Sequence, residues 1–131
     1  MVAECKKRNV EALLGDFRSF RSAFADAALI WSNCGLIHLP IDEFSDGLRF
    51  LAACVKPNGI VAISFKTGDD IFRVDPADDR VPVDRPTSFH RIESVRQTLS
   101  DAGCEVVASI HVPSEADTTF DYCWLFALKK S

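Results

Sequence analysis

The sequence is poor in glycine. The six glycines stand at positions 15, 35, 47, 59, 68 and 103, so the pattern G-x-G occurs nowhere. Dinucleotide-binding βαβ units use such a glycine-rich turn to let the backbone approach a pyrophosphate. A dinucleotide-binding oxidoreductase is therefore disfavoured.

Basic clusters, metal-ligand spacings and long apolar runs are also missing. The formal charge is -4 with a pI near 5.3, and no run of Lys and Arg exceeds three residues, which argues against a nucleic-acid partner. The five cysteines form no Cys-x-x-Cys pair and no zinc spacing, so we interpret them as reduced, mostly buried thiols. No apolar run approaches the roughly 20 residues of a spanning helix, and no signal core begins the chain. We predict a cytoplasmic protein without a membrane partner.

The length and composition predict one domain over residues 1–131, because 47% of the residues are apolar and can form a single core. Apolar periodicity and turn residues predict the individual elements. They are a helix end at 2–9, strands at Val10–Leu14, Ala27–Trp31, 60–65, 104–112 and 122–128, helices at 41–55 and 92–102, and a tight turn at 56–59. This order predicts an α/β fold with a parallel sheet and an antiparallel pair at the end of the chain.

The segment 67–86 has a different character, with six aspartates and three prolines. It predicts a solvated loop that is long enough for a lid or a binding role. A disordered insertion is the alternative.

The stretch DAALIWSNCGLIHLP is apolar at first and turns polar at Trp31-Ser32-Asn33. Open α/β sheets bind their ligands at the carboxyl ends of parallel strands, so a binding site is one interpretation of this change, and a simple loop is the other. Lys66 ends another predicted strand and would lie at the same edge, although strand termination alone explains it equally well.

Several segments in this order resemble the C-terminal part of a class I S-adenosylmethionine-dependent methyltransferase. They are GDF at 15–17, ALIWSNCGLIHLP, VKPNG with IVAISFKTG, SFHRIESVRQTLSDAGCEVV and CWLFALKK. The resemblance implies a Rossmann-like methyltransferase sheet, mostly parallel with an antiparallel C-terminal strand. It also implies S-adenosylmethionine as cofactor and methyl transfer, to a small-molecule acceptor because no basic surface is predicted.

The resemblance assigns roles to particular residues. Asp16 and Phe17 would lie near the adenine of the cofactor, although Asp16 alone suits a turn cap equally well. Residues leaving the next strand would line its methionine end, and these are Trp31, Ser32, Asn33 and Cys34. His38 is the catalytic candidate, as a base or hydrogen-bond donor, with a structural role as the alternative.

The resemblance starts within the helix before the family's third strand. We therefore expect a truncated domain that lacks the N-terminal strands and the glycine-rich loop, with the strand Ala27–Trp31 left as an apolar, unpaired edge. Such an edge favours self-association or a partner chain. A non-catalytic binding or interaction module built from the same half-sheet is the alternative function.

Overall fold

A computed structural model of the chain describes residues 1–16, 25–114 and 120–131. In chain order its elements are α1 (Val2–Lys7), β1 (Ala27–Asn33), α2 (Ile41–Cys54), β2 (Val55–Thr67), β3 (Ile71–Asp75), β4 (Arg85–His90), α3 (Ile92–Asp101), β5 (Cys104–Val112) and β6 (Tyr122–Lys129). None of the helices in these ranges is long and apolar enough to cross a membrane.

The sheet is organised around β2. Strand β1 runs parallel to β2, and β6 runs antiparallel along the other side of β2, followed by β5. The last residues of β2 pair in parallel with β4, so β1 and β4 share one side of the central strand. Strand β3 completes that end as the antiparallel partner of β4. The predicted α/β class, with parallel strands and an antiparallel C-terminal strand, is confirmed.

The core lies between one face of this sheet and the helices α2 and α3. Alternate side chains of β2 point into it, and Val61, Ile63 and Phe65 are fully buried. Phe44 of α2 and Leu99 of α3 belong to the same buried cluster. Both helices therefore present one apolar stripe each, as their sequence periodicity predicts.

The opposite face of the sheet carries an exposed apolar cluster, which we call the open face. Its large side chains are Leu29, Trp31, Ile110, Trp124 and Phe126. Leu29 and Trp31 are 57% and 60% exposed, whereas the small residue Ala62 between Trp31 and Phe126 is fully buried. Within the described ranges, the two helices of the core lie on the other side of the sheet. Ring contacts of Trp31 with Trp124 and Phe126 cover part of the open face.

Two predicted elements near strand ends are corrected. The segment Val10–Leu14 is not a strand, and Leu14 is 86% exposed, because no described strand lies beside it to complete its hydrogen bonds. The segment 56–59 is part of β2 and forms a bulge opposite β1, with Asn58 at φ 62°. Gly59 is required there because a Cβ atom would lie 2.5 Å from Val55 Cγ1 and 2.9 Å from the Ala28 carbonyl oxygen.

The prediction of a solvated loop at 67–86 is also wrong, because this segment contains β3 and the start of β4, which form an antiparallel pair. Three of its six aspartates, Asp70, Asp78 and Asp84, accept hydrogen bonds from backbone N–H groups. Asp78 accepts hydrogen bonds from the backbone of Arg80 and Val81. Asp70 accepts one from Arg91 N at 2.9 Å and one from Ser94 Oγ at 2.7 Å, and so caps α3.

Candidate functional site

A polar network joins the carboxyl ends of β1 and β2. Ser64 Oγ donates to Asn33 Oδ1 at 2.8 Å and accepts from Cys34 N at 2.9 Å. Cys34 Sγ lies 3.3 Å from the same oxygen. The hydroxyl has one hydrogen, which Asn33 receives, so the thiol is the donor in this last contact. The network fixes the turn that follows β1.

The strand register explains why these residues meet. Asn33 lies directly opposite Ser64 in the parallel pair of β1 and β2. Cys34 then leaves the strand at φ 51°, which turns its backbone N–H towards Ser64. Ser64 is only 2% exposed, and a buried hydroxyl requires partners.

A cleft of about 400 Å³ opens beside this network. Its walls come from the ends of four strands, namely Asn33, Cys34, Ser64, Val112, Tyr122 and Trp124. Burial raises the pKa of the Tyr122 phenol, with a smaller contribution from Cys34, so the phenol remains a neutral donor at neutral pH. The cleft therefore combines apolar aromatic walls with a few polar groups, as small-molecule sites commonly do.

Lys66 borders the cleft two residues beyond Ser64. It is paired with Tyr122 across the strands, and its Nζ lies 4.0 Å from the ring centroid of Phe120 and 5.6 Å from that of Phe89. Burial lowers the pKa of its amine, whereas the charge of Asp75 acts in the opposite direction. Lys66 is thus a half-buried cation beside the cleft.

Strand β4 forms hydrogen bonds with the turn that follows β1. Ser88 donates to the Ile37 carbonyl through both its backbone N at 2.7 Å and its Oγ at 3.1 Å. His38 Nδ1 donates to the Pro86 carbonyl at 2.7 Å. The neutral His38 ring therefore carries its hydrogen on Nδ1 and leaves Nε2 as an acceptor.

The structure brings only some of the predicted cofactor residues together. Asn33 and Cys34 line the cleft, and Trp31 stands beside it, with its ring centroid 4.5 Å from that of Trp124. Ser32 points to the opposite face of the sheet, because successive strand residues alternate. His38 is exposed in the turn and is not one of the cleft's lining residues.

The two predicted adenine-binding residues are Asp16 and Phe17. Asp16 lies in the exposed segment that precedes the undescribed residues 17–24 and belongs to no strand. Phe17 lies outside the described residues. Their predicted contact with adenine therefore stays a prediction.

Four residues of the cleft were not identified from the sequence as site residues, namely Ser64, Val112, Tyr122 and Trp124. Ser64 stands in the run IVAISFK, where its polarity near the end of a central strand was the available signal. Tyr122 and Trp124 begin β6, whose apolar pattern alone indicates a strand and no site. Trp124 is half-buried and faces the cleft.

A second, smaller cleft of about 200 Å³ lies on the helical side of the sheet. His90 lies at its base, 2% exposed, with its ring stacked on Phe44 at a centroid distance of 3.6 Å. Ser88 Oγ gives its hydrogen to Ile37, so His90 Nε2 donates to Ser88 Oγ at 2.8 Å. Burial lowers the pKa of His90 to about 4, opposed by the charge of Asp70. This histidine is a neutral core residue.

No protein-family model and no curated protein matches the sequence. Solved structures do match its fold. The 1,6-didemethyltoxoflavin-N1-methyltransferase of Burkholderia thailandensis, bound to its substrate and S-adenosylhomocysteine, is 20% identical with a TM-score of 0.73; the match covers 98% of this chain and 56% of that one.

Two further solved structures have the same fold. Magnesium protoporphyrin IX methyltransferase of Synechocystis PCC 6803, with bound S-adenosylmethionine, is 16% identical with a TM-score of 0.69 over 99% of this chain and 55% of that one. The [4+2]-cyclase SpnF is 15% identical with a TM-score of 0.68 over 98% of this chain and 60% of that one. The chain thus spans little more than half the length of these three neighbours and shares the Rossmann-like methyltransferase fold with them.

Proposed function

We propose that this chain contributes to S-adenosylmethionine-dependent methyl transfer to a small-molecule acceptor. The observation that carries the proposal is the network of Asn33, Cys34 and Ser64 at the carboxyl ends of two adjacent parallel strands. Ligands of open α/β sheets bind at this edge. The fold shared with methyltransferases supports the choice of reaction. Because a [4+2]-cyclase has the same fold, the residues of the site and not the fold alone must determine the reaction.

The residues at the end of β1 suit the methionine end of the cofactor, which carries an ammonium group and a carboxylate. The Oδ1 atom of Asn33 is engaged by Ser64, so its amide NH2 group is directed elsewhere and offers two donors at an exposed position. The backbone carbonyls that follow β1 offer acceptors. Asn33, Cys34 and Trp31 would hold this end of the cofactor, which supplies an electrophilic methyl group when bound.

The protein's contribution to such a reaction is mainly positioning. Methyl transfer is a displacement between two aligned partners, and holding them in line while excluding water provides much of the acceleration. The aromatic walls formed by Tyr122 and Trp124 would cover one side of a bound ligand and keep water from that side. We retain His38 as the candidate base, because its Nε2 is an acceptor in the neutral form.

Isothermal titration with S-adenosylhomocysteine tests the proposal, using Asn33→Asp as the decisive variant. A carboxylate at position 33 still accepts the hydrogen of Ser64 but has no NH2 donors and repels the carboxylate of the ligand. We expect binding to weaken at least about tenfold, the effect of losing one charge-assisted hydrogen bond. Asn58→Asp, at the other end of β2, makes the same charge change and should leave binding unchanged.

A folded wild-type chain that binds no S-adenosylhomocysteine would contradict the proposal for this chain. An Asn33→Asp variant with wild-type affinity would contradict the placement of the site.

The second candidate is a non-catalytic interaction module, and the exposed apolar side chains of β1 favour it. Within the described residues β1 pairs with β2 alone, so its outer side offers backbone groups to another strand, from a second copy or a partner chain. A chain that self-associates without binding S-adenosylhomocysteine would favour this candidate. We also infer a cytoplasmic location for either function, consistent with five free thiols.

A further inference from the structure

Lys66 is a half-buried cation beside the cleft. Among the described residues it forms no ion pair, and its Nζ rests on the rings of Phe120 and Phe89 instead. The nearest carboxylate that affects its pKa, that of Asp75, is paired with Arg73 at 3.1 Å. A half-buried ammonium group in this situation gains most from an anionic ligand.

The neighbouring cations are already engaged. The Arg73 guanidinium lies 4.4 Å from the Phe89 ring centroid and binds Asp75, and Arg85 binds Asp78 at 3.0 Å. The charges of Arg85 and Arg73 lower the pKa of the Lys66 amine in addition to burial, whereas the charge of Asp75 has a larger, opposite effect. An anion that enters here therefore finds one ammonium group that forms no ion pair with the described residues, beside two guanidinium groups that are already paired.

The position of Lys66 connects this charge to the cleft. Ser64 and Lys66 lie on the same face of β2, and their partners across the strands are Trp124 and Tyr122, both of which line the cleft. A planar molecule can therefore lie against these aromatic walls while an acidic group at its end reaches Lys66. Aromatic rings favour offset stacking or edge contacts with such a molecule.

We propose that Lys66 recognises the carboxylate of a small, planar aromatic acceptor bound in the cleft between Ser64, Tyr122 and Trp124. The proposal rests on the proposed methyl transfer for its biological meaning and specifies the acceptor class. Lys66 is then a residue that determines specificity, and no proton transfer is assigned to it.

Paired titrations with benzoate and benzamide test it, since the two ligands have the same shape and differ in charge. The wild-type chain should bind benzoate at least about tenfold more tightly, as expected for a charge-assisted hydrogen bond. Lys66→Met should lose this preference and Lys66→Arg should keep most of it. Lys56→Met removes a lysine from the exposed amino end of the same strand and should behave as the wild type.

A second measurement requires no variant. The NMR signals of the Lys66 ε-methylene group should shift on addition of benzoate and stay in place with benzamide. Equal affinity for the two ligands, no binding of either, or an unchanged preference in Lys66→Met would overturn the inference.

Titration with S-adenosylhomocysteine separates this inference from the function on which it rests. Binding of S-adenosylhomocysteine without a preference for benzoate overturns the role of Lys66 alone. A preference for benzoate that depends on Lys66, without S-adenosylhomocysteine binding, overturns the proposed methyl transfer alone.

Discussion

Ser64 is a single hydroxyl group on which three other groups depend. It supplies the acceptor for Cys34 N, the donor for Asn33 Oδ1 and the contact for Cys34 Sγ. Because it is almost fully buried, water does not replace it readily when it is removed.

Ser64→Ala should therefore lower the free energy of unfolding by about 1–3 kcal/mol, the usual cost of leaving buried polar groups without partners. Urea denaturation measures this. Ser109→Ala, an exposed serine on β5, is the matched control and should stay within about 0.5 kcal/mol of the wild type. Equal stabilities of the two variants would contradict the structural role of Ser64.

The residues of the site could be predicted only in part. The polar end of β1 indicated Asn33 and Cys34, because polarity after an apolar run is visible in a local window. Their partner Ser64 is 31 positions from Asn33, and only the register of two strands brings them together. Successive residues of a strand point to opposite faces of the sheet, so Ser32 and Asn33 lie on different faces although they are adjacent in sequence.

At the scale of elements, β1 pairs with β2, and its outer side pairs with no strand of the described residues. Its sequence AALIWSN contains no charge and no proline, the two devices that commonly protect edge strands. Leu29, at 57% exposure, stands in the middle of this strand.

Leu29→Lys should reduce self-association of the chain, because a charge on an edge strand opposes pairing with a second strand. Sedimentation velocity at several concentrations measures the change. Leu14→Lys introduces the same charge at an 86% exposed position outside the sheet and should leave self-association as in the wild type. Indistinguishable profiles for Leu29→Lys and the wild type, or a wild type that is monomeric throughout, would contradict this prediction.

Most elements could be predicted from the sequence, and the failures concern strands whose formation depends on a pairing partner. The helices α2 and α3 and the strands β5 and β6 agree with their apolar patterns because each pattern spans a whole element. The strands β3 and β4 were both missed. Strand β3 is short and exposed along most of its length, so that pairing with β4 determines it. The predicted strand Val10–Leu14 does not form, because a strand-like apolar pattern there has no pairing partner among the described strands.

At the scale of the whole molecule, the buried His90 makes stability depend on pH. Burial lowers its pKa to about 4 in the folded state, whereas the unfolded chain takes up the proton near 6.5. Between these values the unfolded state binds more protons, so its free energy falls relative to that of the folded state. The stabilising contribution is complete above pH 6.5 and is lost as the pH falls to about 4.

We therefore expect the free energy of unfolding to decrease by up to about 3 kcal/mol across this range on account of His90. His90→Gln keeps a donor for Ser88 but removes the titration, so its stability should change less with pH. His38→Gln removes an exposed histidine that forms no ion pair with the described residues, and it should preserve the wild-type slope. Parallel pH profiles for His90→Gln and the wild type would contradict this account.

The open face has an optical consequence. The chain has only two tryptophans, and both belong to this face, with ring centroids 4.5 Å apart, while α2 and α3 contain none. Indole emission therefore observes the side of the sheet that carries the cleft, and far-UV circular dichroism observes the helices. If the two signals change at different denaturant concentrations, the aromatic side of the sheet comes apart separately from the helical core.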